Sequence, residues 1–201
     1  LMRELPSGSI GCVSTYPDVQ IPEQLFDDAD AEARWRARFS APRVSVPDWA
    51  RDAPERNLYV SNSTGTWELY VWDRSTDTHR QVTDRANGTF HGTLSADGNA
   101  IWWFNDTDGD EFGSWVVEPF VADGSSAAAP LPSIHPGYPA GLELGTRLVG
   151  IGMSTDDGVT VWVSRGGADP EVIYEHEQDG GLAAMSWDET LLVLSHSEHG
   201  D

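Results

Sequence analysis

From Pro47 to the end of the chain, apolar residues fall into short β-branched and aromatic runs bounded by Gly, Asp, Asn and Pro turns. That is the pattern of strands joined by hairpins. Asn57–Ser61, a Thr64-Gly65 turn and Trp67–Trp72 lead through the polar stretch Asp73–Thr78 to a short run, His79–Thr83. Next come Gly92–Leu94, Ala100–Phe104, an acidic turn and Ser114–Phe120, then the Ala-, Ser- and Pro-rich connection Asp123–Pro132. Arg147–Met153, the turn Thr155–Gly158, Val159–Ser164 and Glu171–Tyr174 form a third group, and Leu182–Ser197 begins a fourth.

The groups repeat. Leu94-Ser95-Ala96-Asp97-Gly98 precedes Ile101–Phe104, Leu142–Gly145 precedes Leu148–Ile151, and Met185-Ser186-Trp187-Asp188-Glu189 precedes Leu191–Leu194. Gly98 and Gly145 are 47 residues apart, and Gly145 and the corresponding Glu189 are 44 apart. A weaker copy runs from Arg51-Asp52-Ala53-Pro54 into Leu58-Tyr59-Val60. Strand repeats of about 40 to 50 residues are the mark of β-propeller blades. The expected fold is all-β: a partial propeller of about three complete four-stranded blades plus part of a fourth, with one N-terminal helix. Propellers close with about four to eight blades, so we expect a chain cut inside a repeat, with open sheet edges able to self-associate.

Ahead of the repeats, residues 1–20 read as a flexible lead-in and 21–46 as a helical segment, with 47–201 the incomplete propeller. Pro22–Phe39 is the helix candidate. Pro22 suits a first turn, Asp27, Asp28 and Asp30 lie early, and Arg34, Arg36 and Arg38 lie late, in the order the helix dipole favours. Ala31, Ala33, Trp35, Ala37 and Phe39 also alternate with charge, a strand period. Alanine favours helix over strand, so helix is expected.

Charge narrows the partners. Thirty-three acidic residues against 12 basic ones, all of them Arg, give a net charge of −21. Such a surface repels nucleic acid and anionic membrane, and neither is expected as a partner. The single Cys12 excludes an internal disulfide and a cysteine zinc site. No apolar run reaches membrane-spanning length and the first 15 residues lack a signal-peptide pattern, so a cytoplasmic location is expected. The triplets at Asn62, Asn87 and Asn105 read as hairpin-turn chemistry rather than glycan acceptors.

Little of the catalytic vocabulary is present. Gly152-Met153-Ser154-Thr155-Asp156 approaches a nucleophile elbow, but its last Gly is Asp and its flanks are strands. Asp106–Glu111 resembles a calcium loop, yet the places for the obligatory Gly and Glu hold Glu111 and Val117. His196 and His199 lack the helical spacing of a zinc site, and His79, His91, His135 and His176 read as surface or packing residues. Trp67, Trp72, Trp102, Trp103, Trp115 and Trp162 fall in strand runs and read as blade packing. No residue is assigned as catalytic, metal-binding or cofactor-binding, and no cofactor is expected. Asp110 and Glu111 are the candidate substrate contacts, facing an amino group by charge complementarity.

Two segments go beyond the generic pattern. Trp67-Glu68-Leu69-Tyr70-Val71-Trp72-Asp73 followed by Arg80-Gln81-Val82-Thr83 resembles the blade unit of TolB-type and prolyl oligopeptidase-family propellers. Leu94–Phe104 resembles their Ser-Pro-Asp-Gly element, with Ala96 in place of Pro. Ile101–Phe120 and His196–Asp201 resemble bacterial peptidases of the prolyl oligopeptidase and acylaminoacyl-peptidase group. The resemblance implies an N-terminal propeller over a C-terminal α/β-hydrolase domain that carries the Ser, Asp and His triad, with the propeller admitting only small peptides. None of that triad maps onto this sequence. The expectation is a non-catalytic propeller segment of a serine peptidase, inactive alone, whose peptide substrate meets a hydrolase domain absent from this chain. The alternatives are a stand-alone TolB-like interaction module and a polysaccharide-binding propeller that uses the Trp residues.

Overall fold

The computed structural model describes Phe26 and residues 28–198. These fall into two units, divided along the chain between Ala41 and Pro42, one holding the helix and the other every strand. Helix α1 spans Ala29–Phe39. The Asp28 carboxylate caps it by accepting the Asp30 N–H at 2.8 Å, while Asp30 and Glu32 stand in the first turn and Arg36 and Arg38 in the last. The helix expected from Pro22 therefore begins later, and Phe26 is not helical. The capping aspartate sets the start, and alanine content overrides the alternating pattern. Pro22 and Cys12 lie outside the described residues.

Four antiparallel sheets follow. The first runs in the order β1 (Asp48–Ala50), β2 (Ala53–Ser61), β3 (Glu68–Asp73) and β4 (Thr78–Gln81). The second holds β5 (Gly92–Leu94), β6 (Ala100–Asp106) and β7 (Gly113–Pro119). The third holds β8 (Tyr138–Leu144), β9 (Leu148–Thr155), β10 (Gly158–Arg165) and β11 (Glu171–His176), and the last pairs β12 (Gly180–Met185) with β13 (Leu192–His196). In the second sheet two isolated bridges, from Val117 to Ala128 and from Gly113 to Gly137, stand where a fourth strand would lie. The Ala- and Pro-rich sequence there cannot sustain a ladder. Strand β8 reaches back to Tyr138, further than the sequence indicates, because Pro139 and Gly141 obscure it. The pairing shifts register between Pro139 and Leu142 to accommodate them.

The cores lie between sheets. Leu58, Leu69 and Val71 of the first sheet meet Leu94, Ile101 and Phe120, with Trp103 packed alongside. Trp102 and Phe104 point the other way and meet Ile151 and Met153, flanked by Trp115 and Trp162. Alternate residues of β6 thus fill two separate cores, as the period-two geometry of a strand requires. Ile101 is fully buried. Trp102, Trp103, Trp115 and Trp162 pack in or against these cores, whereas Trp67, expected within a strand, lies just before β3, and Trp49 of β1 is exposed.

Candidate functional site

The first hairpin of each sheet gathers at one end of the strand unit. The Asp52 N–H donates to the Ala96 carbonyl at 2.7 Å, and the Arg51 guanidinium sits 5.0 Å above the Trp187 ring. Arg51 is held by Asp52, whose carboxylate raises its pKa. Two of these hairpins share one hydrogen-bond pattern. In the second sheet the Ser95 hydroxyl donates to Asp97 at 2.6 Å and accepts the Ala100 N–H at 3.0 Å. In the last sheet the Ser186 hydroxyl donates to Asp188 at 2.7 Å and accepts the Leu191 N–H at 2.9 Å. Both aspartates are held below the usual carboxylate range, first by the serine hydroxyls.

The repeat places Glu189 where the second sheet has Gly98, and both adopt positive φ, 59° and 69°. Glu189 spends that strained backbone on a lock. Its buried carboxylate accepts the Thr146 N–H at 2.8 Å, the Thr146 hydroxyl at 2.6 Å, and the Arg147 and Leu148 N–H groups at 2.9 Å each. These donors, the Thr146 hydroxyl first, draw its pKa down to about 2 against the opposing effect of burial. Gly145 admits the carboxylate, since a Cβ there would stand 2.5 Å from Glu189 Cδ.

Asp110 and Glu111 lie at the opposite end, in the hairpin from β6 to β7. Both are exposed. The Asp110 carboxylate accepts the Phe112 N–H at 3.1 Å, and Glu111 has φ of 64°. Glu111, Gly109 and Asp106 border a cleft of about 140 Å³ whose other wall is Asn87–His91. Arg85 braces it by pairing with Asp106 at 3.1 Å. Behind it, the buried Glu68 accepts the Arg85 N–H at 2.7 Å and the Thr83 hydroxyl. Thr83 in turn accepts the Leu69 N–H at 3.0 Å. The arrangement offers an exposed carboxylate rim capable of pairing with a cation, and among the described residues no activated nucleophile stands against it.

The remaining candidates disperse. Ser154 lies in β9, paired across to Val159 and Tyr138, with the next hairpin rather than a helix after it. His79 stacks on Trp72 at 5.2 Å and bonds Tyr59. His196 ends β13 against Tyr174 and His176, while His199 lies outside the described residues. Sequence reasoning missed the buried carboxylates Glu68 and Glu189. Their signals were a Glu inside an apolar strand run and a Glu standing where the repeat has Gly.

No protein-family profile matches this chain, and no curated protein does. Solved structures do. A prolyl endopeptidase matches with a TM-score of 0.60 at 16% identity, covering 85% of this chain and 28% of its own. Prolyl oligopeptidase B from Galerina marginata matches at 0.59 and 14% identity, covering 83% and 28%. The β-propeller domain of the Trilobed protease from Pyrococcus furiosus, described as having an open velcro topology, matches at 0.53 and 16%, covering 76% and 48%. This chain therefore spans less than half of the length of each of these three. With one helix and antiparallel sheets of up to four strands among the described residues, it has the fold of a β-propeller domain.

Proposed function

We propose that this chain is the propeller portion of a prolyl oligopeptidase-type serine peptidase, where it limits access of substrates to a hydrolase domain. The observation that carries this reading is the match to two prolyl peptidases over 85% and 83% of the chain. The blade elements at Trp67–Thr83 and Leu94–Phe104 add to it. The physical rationale is size exclusion: a rigid array of packed sheets over a catalytic cleft rejects folded proteins and passes short extended peptides. Asp110 and Glu111 act in this reading as an anionic rim that favours a peptide's amino terminus. The test is fluorophosphonate labelling of the full-length parent and of the 201-residue chain, paired with hydrolysis of short peptides and of a folded protein. The expected result is labelling of the parent alone, with short peptides cleaved and the folded protein spared. An unlabelled parent, or a labelled 201-residue chain, overturns the proposal.

A further inference from the structure

We propose that Tyr174, His176 and His196 form an acid-released clasp between the edge of the third sheet and the last sheet. Tyr174 and His176 stand two residues apart on β11, so they share a face. His196 comes from β13. The imidazoles of His176 and His196 meet edge to face with centroids 4.4 Å apart. Tyr174 Oη lies 2.6 Å from His196 Nδ1. His176 Nδ1 accepts the Gln178 N–H at 3.1 Å, in the connection that carries the chain from β11 into β12. A backbone N–H only donates, so this bond requires an unprotonated Nδ1 and assigns His176 the neutral tautomer with its proton on Nε2.

Histidine is the side chain that changes charge between about pH 5 and pH 8. Protonation of His176 turns its acceptor into a donor facing the Gln178 N–H. Protonation of both rings sets two cations against each other at contact distance. Asp157, Glu175 and Glu177 share a cleft with His176, Asp179 is committed to the Gly180 N–H at 2.8 Å, and Glu198 follows β13. Present at neutral pH, the clasp is lost as pH falls through the imidazole range.

Amide hydrogen exchange, expressed as protection relative to the unfolded chain, reads this directly at Gln178. We expect its protection to fall about tenfold from pH 8 to pH 5.5, as one hydrogen bond's worth of stability is lost. In His176→Asn the side-chain oxygen accepts the same N–H at either pH, and protection should stay level. His196→Phe keeps the ring contact and removes the second charge that opposes protonation beside it, so the fall should shift to higher pH. Level protection in the parent, or an equal fall in His176→Asn, overturns the clasp.

Discussion

Replacing Glu189 by Gln is the sharpest test of how neighbouring sheets are held together. The substitution keeps shape and removes charge. The native carboxylate accepts four hydrogen bonds, two on each oxygen. An amide offers one oxygen and one NH2, so two donors must face another donor. Each bond to a charged acceptor contributes about 1.5–3 kcal/mol, and stranding a buried donor costs about 1–3 kcal/mol. Two such losses, softened by relaxation and water entry, put the cost at roughly 3–5 kcal/mol. Against a domain stability of about 5–15 kcal/mol, that is a large fraction. Urea unfolding at pH 7 should show the midpoint falling steeply. Acid should reveal the sign. The carboxyl lies at about 2 when folded, against 4.5 ordinarily. Its contribution is therefore complete above the ordinary value and is lost as pH falls through the folded one. The Gln variant should lack that acid limb. A variant within about 0.5 kcal/mol of the parent at pH 7, the range of an ordinary surface change, would refute the lock.

Other changes probe the same logic. Gly145→Ala should destabilise by about 1–3 kcal/mol through the clash with Glu189, and the double variant with Glu189→Ala should cost less than the sum in the same unfolding assay. Thr83→Val strands the Leu69 N–H and one Glu68 oxygen and should cost about 1–3 kcal/mol, whereas Thr83→Ser should restore most of it. Ile101→Ala, at the centre of the first core, should lower thermal stability by about 2–5 kcal/mol. Glu111→Gly relieves a left-handed backbone and should raise stability by up to about 1 kcal/mol; a loss would show that its carboxylate holds the hairpin.

Repeat spacing and turn chemistry were enough to read the propeller from sequence, because two of the hairpins begin with residues that fold them locally: Ser95 with Asp97, and Ser186 with Asp188. What escaped was set at a distance. Strand β8 hides behind Pro139 and Gly141, residues that weaken a strand unless a neighbour pairs with it. Glu189 reads locally as one more acidic turn residue. Its partners at Thr146–Leu148 lie more than 40 residues away, on another sheet. Asp110 and Glu111 were legible as an acidic hairpin, but the brace at Asp106 beside them depends on Arg85, which the chain supplies from the preceding connection.

The division of labour along β6 has an error-checking consequence. A strand with one greasy side can slip by a residue and merely turn that side outward. Here the same slip would deliver the bulky indole and phenyl groups of Trp102 and Phe104 into a space shaped for Ile101, and leave Ile101 rattling in theirs. Misalignment would thus spoil two joints together, which makes the second sheet a ruler against which both neighbours are set.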